Sequence, residues 1–172
     1  DLRQSDIPDT AGPDSLDKDQ DRLLLAGILA NDAKLSRLDN DWKTTGDPTE
    51  TAILDIGLKF DLNKNELETA WPRVAEIPFD SERKRMSTIH KVAGNGYVVY
   101  CKGGLDEVLS RCTGQLRGGE VVPLTEEARQ TIMADNQAMA ARALRVLAGA
   151  YKPLDGLPGE IAPDSVENGL IF

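Results

Sequence analysis

Arg83, Lys84 and Arg85 stand in a row within FDSERKRMS, just after Phe79, in a chain whose formal net charge is −9. A solvated face is one reading of such a run. The sharper one is a site for an anion that carries a flat ring, the ring stacked on Phe79 and the cations set toward its charge. Three further stretches have residue types that suit the same chemistry. GDPTETA, residues 46–52, has Asp47 as a helix cap, Pro48 in the first turn and Glu50 near the positive end, and taken alone is a capped helix start. In CKGG, Lys102 ends an apolar strand ahead of Gly103 and Gly104, where bare backbone lets a ligand approach and a helix start adds positive potential. In RALRVLAGAY, Arg145 interrupts an otherwise apolar strand, which points it to solvent or to an anion. An aromatic ring, a methionine (Met86), a lysine at a glycine pair and a strand arginine are together the parts of a nucleotide pocket. The chain has no G-x-x-x-x-G-K-[ST] loop and no G-x-G-x-x-G, so it offers neither a P-loop nor a Rossmann site.

Other chemistries are poorly supplied. Cys101 and Cys112 are the only cysteines and form no CxxC pair, and both read as reduced and partly buried. His90 is the single histidine, which leaves no metal cluster and little room for a Ser/His/Asp or Cys/His site. It alternates with apolar neighbours and reads as an ordinary strand residue. The acidic balance disfavours non-specific binding to nucleic acid or anionic lipid. No stretch nears the roughly 20 apolar residues of a membrane span, and no signal peptide is recognisable, so the chain as given reads as soluble.

The elements that must position these residues follow from spacing. At 172 residues, 40% apolar and 28% charged, the chain suits one domain with a real core. Residues 1–19 are aspartate-rich and read as a loose lead-in, leaving 20–172 as the domain. Leu24, Ile28 and Leu35 suggest a helix over about 20–33. LSRLDNDWKTTG is turn-rich, with room for a short strand. The helix begun at Asp47 should bury Ala52, Ile53, Ile56 and Phe60, and NKNELETAW should end a further helix at Trp71-Pro72. RVAEIPFD, KRMSTIHKV and GYVVYCKG read as strands, with AGNG as a hairpin turn between the last two. LDEVLSRC reads as a helix and GQLRGGEVVPL as a hairpin. Thr125 caps the longest helix, with Glu127 near its third position, and ALRVLAGAYK is a strand inside the sheet. There is no internal repeat. Strands paired as hairpins favour an α+β fold, a mainly antiparallel β-sheet flanked by helices.

In their order, GDPTETA, FDSERKRMS, KGGLDE and ALRVLAGA resemble the nucleotide-binding domain of the P-type cation-transporting ATPases. That family carries a TET-type helix start, an F-S/D-x-x-R-K-x-M-S strand, a KGAPE-type turn and an LRVLA-type strand. LLLAGILANDA upstream and the closing ENGLIF are similar to that family too, so the resemblance spans nearly the whole chain. The turn departs from the pattern at Leu105-Asp106, where the family has Pro-Glu.

The resemblance implies an ATP site. Phe79 would stack on adenine, Glu50 would help hold the base, Met86 would pack beside the ring, Lys84, Lys102 and Gly103 would line the pocket, and Arg145 would reach the phosphates. No catalytic residue and no metal site is expected in this chain. The family's phosphorylated aspartate lies in a DKTGT motif that the chain lacks, so it reads as an excised domain that binds ATP without hydrolysing it. The parent would be a cation pump, calcium-type by the look of PFDSERKRMS, using Mg-ATP. This monomeric cytoplasmic domain, making no direct membrane contact of its own, would work with the phosphorylation and actuator domains of the same integral membrane chain. Two other readings stay open: an interaction domain docking an acidic partner through the basic run, and a phosphatase-like enzyme using this fold as a cap. The second needs a D-x-D nucleophile motif that no β context here supplies.

Parity limits the pocket. Arg83 and Arg85 on a strand would share one face and Lys84 the other, with Phe79 opposite Lys84. A bend or bulge within DSERK is therefore required, and Arg83 and Arg85 should act only as screened surface charge.

Overall fold

Asp17 opens the first helix with a capping box: its carboxylate accepts from Gln20 N at 2.8 Å, and its own N–H reaches Gln20 Oε1 at 3.3 Å. The computed structural model describes residues 16–39, 41–92 and 96–172. The greater part of the expected lead-in, and residues 93–95 of the AGNG turn, lie outside that range. Helix α1 spans Lys18–Leu29, so it starts earlier and stops sooner than the spacing suggested. Asn31 ends it. Its amide donates to Gly27 O, and its side-chain oxygen accepts from Ala33 N at 2.9 Å, a local turn that competes with helix. Leu35 thus falls on a strand. Strands β1 (Lys34–Leu38) and β2 (Asp41–Thr45) pair as an antiparallel ribbon apart from the main sheet.

Helix α2, Pro48–Lys59, begins where its cap predicts, with Asp47 Oδ1 accepting from Thr49 N at 2.8 Å. That bond lowers the Asp47 pKa. The expected buried stripe is wrong in part. Leu54 and Gly57 are the buried positions, while Ala52 is exposed and Ile56 is 45% exposed. Gly57 decides the rotation: a Cβ there would stand 2.6 Å from Ile28 Cδ1, so the bare position lets α2 close on α1. Ile53 and Phe60 are half-buried. Helix α3, Lys64–Ala70, stops at Trp71 before Pro72.

Strands β3 (Arg73–Asp80), β4 (Arg85–Lys91) and β5 (Tyr97–Gly103) form the antiparallel meander read from the sequence, and Val92 N donates to Gly96 O across the second hairpin. Helix α4 covers only Leu105–Leu109, since Cys112 already belongs to β6 (Cys112–Arg117). Strand β7 is Glu120–Pro123 and helix α5 is Glu126–Ala141, capped by the Thr125 hydroxyl. Strand β8, Ala148–Leu154, begins after the arginine, so Arg145 lies in an exposed loop and not on a strand. Helix α6 (Pro163–Val166) and strand β9 (Leu170–Ile171) complete the chain.

The seven-stranded sheet runs β3-β4-β5-β8-β9-β6-β7, antiparallel except for β6 beside β9. Strand β5 is buried on both faces, as its apolar run implies. Val98 and Tyr100 meet Leu25, Ile28 and Leu29 of α1, while Val99 and Cys101 join Ile89, Val108, Ala150 and Leu170 on the other side. Both cysteines are free and fully buried, and burial pushes their thiols up to about 11 at Cys101 and about 12 at Cys112. No helix among the described residues is long and apolar enough to cross a membrane.

Candidate functional site

Register brings three of the predicted residues, Phe79, Met86 and Lys102, into line across the sheet. Met86 is the partner of Lys102, and Lys102 is the partner of Gly149. Between the pairs Ile77–Ser87 and Asp80–Arg85 the β3–β4 register shifts, so Pro78 and Phe79 together oppose Met86. Phe79, Met86, Lys102 and Gly149 therefore form a row across four neighbouring strands. The irregularity demanded by parity is present, as a register shift that runs up to Asp80 and a chain reversal within DSERK. The chain then reverses through Ser81–Lys84, where Lys84 takes φ +48°. Asp80 closes this turn by accepting from Glu82 N and Arg83 N at 2.9 and 2.8 Å, and the Arg83 N–H above all lowers its pKa. Phe79 is 60% exposed, a ring held out to solvent, whereas Met86 beside it is buried.

Lys102 is nearly buried, and its Nζ donates to Glu50 Oε1 at 2.8 Å. Glu50 Oε2 accepts from Asp32 N at 3.2 Å, and Asn31 Nδ2 donates to Glu50 O at 3.0 Å. The carbonyls of Asn31 and Ala33 in turn accept from buried Lys64 Nζ at 2.7 and 2.8 Å, and burial lowers the Lys64 pKa. Arg73 also donates to Asn31 O, at 2.6 Å. Glu50 is thus anchored from the end of α1.

A groove of about 480 Å³ opens between α1, α2 and the approach to β8. Leu24, Ala52, Ile53, Ile56 and Leu147 form its apolar walls, with Lys102 and Arg145 among its lining. This explains the exposed face of α2: its second apolar stripe walls the groove. Arg145 makes no ion pair among the described residues. A second hollow of about 330 Å³ lies between α1, α5 and β8, sharing Leu23 and Leu147, but neither Lys102 nor Arg145 lines it.

Two expectations are corrected. The bare backbone of Gly103 is filled by the chain itself: a Cβ there would lie 2.4 Å from Lys84 O, and Gly104 N donates to that same carbonyl at 2.9 Å. Glycine lets the β3–β4 turn sit against β5. Arg83 and Arg85 are not screened surface charges, for both reach the fully buried Glu167, Arg83 Nη1 at 2.8 Å and Arg85 Nε at 2.7 Å. The two share one side, as parity expected, although Arg83 lies in the turn and not on a strand. Lys84 instead points outward and pairs with Glu107 at 2.9 Å, which raises the lysine pKa and lowers that of Glu107.

Sequence reasoning passed over Glu107, Glu167, Asn31, Lys64 and Arg73. The one local signal was the apolar flanking of the basic run, which suits guanidiniums with a buried acid more than a solvated patch.

The model of the family "P-type ATPase, cytoplasmic domain N" matches residues 19–172. The chain is 40% identical over 159 residues to calcium-transporting ATPase 1 of Bacillus cereus, covering 92% of this chain and 17% of that protein. It is 40% identical over 154 residues to the protein of the same name from Lactococcus lactis, covering 90% of this chain and 17% of that one. A cation-transporting ATPase of Synechocystis is 37% identical over 150 residues, 87% of this chain and 16% of that protein. The chain therefore spans about one-sixth of the length of these relatives. With the ordered motifs, the mainly antiparallel sheet and this match all agreeing, the chain belongs to the cytoplasmic N-domain family of the P-type ATPases.

Proposed function

We propose that the chain binds ATP along the row of Phe79, Met86 and Lys102 and in the adjoining groove, and that in its parent pump it presents the nucleotide for phosphoryl transfer. The observation that carries this reading is the row itself: an exposed ring, a buried methionine and a nearly buried lysine on adjacent strands. The groove's volume of about 480 Å³ falls in the range of small-molecule pockets. Adenine stacks on Phe79 with Met86 beside it, and Glu50 orients Lys102 toward the base. Lys84 and Arg145 are the exposed cations for the phosphates, and Gly103 seats the turn that carries Lys84.

Hydrolysis belongs to the parent. There the partners are the phosphorylation and actuator domains of the same chain, the substrate is Mg-ATP, and the work is cation transport, calcium-type by the names of its relatives. In this reading the chain from Asp17 onward is a monomeric unit on the cytoplasmic side of a membrane protein, the cap of α1 moving the expected boundary at residue 20 back to Asp17. The interaction-domain reading loses most of its basis, because Arg83 and Arg85 are committed to the buried Glu167 and only Lys84 of the run stays exposed.

An ATP titration of the 172-residue chain, followed residue by residue in NMR spectra, tests the reading. A stacked base with a few exposed cations implies a dissociation constant on the order of 0.1 to 1 mM. ADP and AMP bind comparably, since the base supplies most contacts. No shift near Phe79 or Lys102 at saturating nucleotide sinks it, and phosphate release that survives repurification sinks the division of labour with the parent.

A further inference from the structure

Glu167 has no exposed surface, and three side chains converge on its carboxylate. Arg83 Nη1 donates to both oxygens, each at 2.8 Å. Arg85 Nε donates to Oε2 at 2.7 Å, and Ser87 Oγ to Oε1 at 2.9 Å. Two guanidiniums on one buried carboxylate is an expensive arrangement, because desolvation offsets most of the attraction. Such clusters are best explained by the single geometry they impose.

The geometry here is that of the β3–β4 turn. Arg83 Nη2 donates to Pro78 O at 2.7 Å, so one guanidinium ties the residue before Phe79 to Glu167. Arg85 Nη1 donates to Arg83 O at 3.2 Å, which ties the residue before Lys84 to the same carboxylate. Within the turn, Lys84 N donates to Asp80 O at 2.6 Å. Phe79 and Lys84 are among the side chains of this stretch left facing outward, 60% and 63% exposed. Neither has packing enough to hold it, and Lys84 adopts a left-handed backbone that non-glycine residues resist. Apart from the exposed pair of Lys84 with Glu107, their positions are set by the backbone, and the backbone is stapled to Glu167. That residue comes from the far end of the chain, between α6 and β9, with Glu167 N donating to Pro163 O.

We infer that Glu167 is a positioning residue for the nucleotide: its carboxylate holds the Pro78–Arg85 turn so that Phe79 and Lys84 face the ligand, and so couples nucleotide occupancy to the α6–β9 segment. This rests on the nucleotide-binding reading of Phe79 and Lys84 given above. Linkage makes the coupling reciprocal, so ATP must tighten the clamp as much as the clamp tightens ATP.

The test uses the full chain with Glu167→Gln, which keeps shape and removes charge. ATP affinity should fall about tenfold, the scale of a lost hydrogen bond to a charged group. In a Phe79→Ala background the same change should cost less than about twofold, because the effect runs through the ring. Amide exchange should quicken at Lys84 and Gly104 and not across β5 and β8. In the unsubstituted chain, ATP should slow exchange at Glu167 and Leu170. Should Glu167→Gln fail to fold, Ser87→Ala keeps every charge and carries the same test, with a loss of about threefold. Unchanged affinity in a folded variant, equal losses in both backgrounds, or exchange that quickens uniformly overturns the inference alone. A parent chain that binds no ATP overturns the nucleotide reading first, and this inference with it.

Discussion

Lys102 Nζ stands 2.8 Å from Glu50 Oε1 on side chains only 8% and 17% exposed, so the innermost cation of the groove is neutralised by the protein itself. Removing Lys102 leaves the half-buried Glu50 carboxylate with only the Asp32 N–H, and removing Glu50 takes away the carboxylate that pairs with the buried Lys102. Lys102→Met should cost about 3 kcal/mol of stability, the scale of a broken buried pair. The Glu50→Gln/Lys102→Met double variant should cost less than the two single changes together, by at least about 1 kcal/mol. Urea unfolding of the four proteins measures the coupling, and additive losses would mean that the pair is structurally idle.

Phe79 separates binding from folding. Its ring is mostly exposed, so Phe79→Ala should leave the unfolding midpoint nearly unchanged. ATP binding should weaken by roughly 1 to 3 kcal/mol, the range for a base stacked on an aromatic side chain. Calorimetry on a variant with an unshifted midpoint decides it, and unaltered affinity removes Phe79 from the site.

On the proposed reading, Glu107 competes with phosphate for Lys84. The pair is exposed on the lysine side, so it exchanges readily with a ligand and is screened by salt. Glu107→Gln should tighten ATP by about two- to threefold at low salt, an advantage that fades with added salt. Lys84→Glu should weaken ATP under the same conditions. Arg85→Glu should behave differently, lowering stability at every salt concentration, because its partner is the buried Glu167. Losses at Arg85 that vanish with salt would contradict the buried clamp.

His90 makes stability depend on pH. The ring is fully buried, its Nδ1 lies 2.8 Å from Trp71 O, and its Nε2 lies 3.0 Å from Thr88 Oγ1. The carbonyl can only accept, so Nδ1 donates; in the neutral ring Nε2 is then an acceptor facing the Thr88 hydroxyl, whose one proton it shares with Leu29 O at 3.2 Å. Burial lowers its pKa from 6.5 to about 4. Between those values the unfolded chain binds the proton and the folded one does not, so stability falls as pH drops from 6.5 toward 4. The loss is at most about 3 kcal/mol. Thermal unfolding of His90→Gln should lack this slope between pH 7 and 4.5, and a slope equal to that of the unsubstituted chain assigns it to other groups.

Much of the framework was legible in the sequence because it is decided by near neighbours. Asp47 and Pro48 start α2, Thr125 starts α5, Trp71-Pro72 ends α3, and the apolar run of β5 marks a strand. Caps, proline and strand period act within a few residues, so they can be read one stretch at a time. The order of four short motifs was enough to indicate the family. The tertiary structure alone decided what those motifs touch. Ile56 faces a groove and not the core because Gly57 lets Ile28 close on the other stripe of α2. Arg145 precedes β8, whose pairing with β5 starts only at Ala148. Arg83 and Arg85 share an acid more than 80 positions away, while Lys84 between them takes a different one. A charge chooses its partner by which remote segments the closed sheet brings within about 3 Å, and no local rule of spacing contains that information.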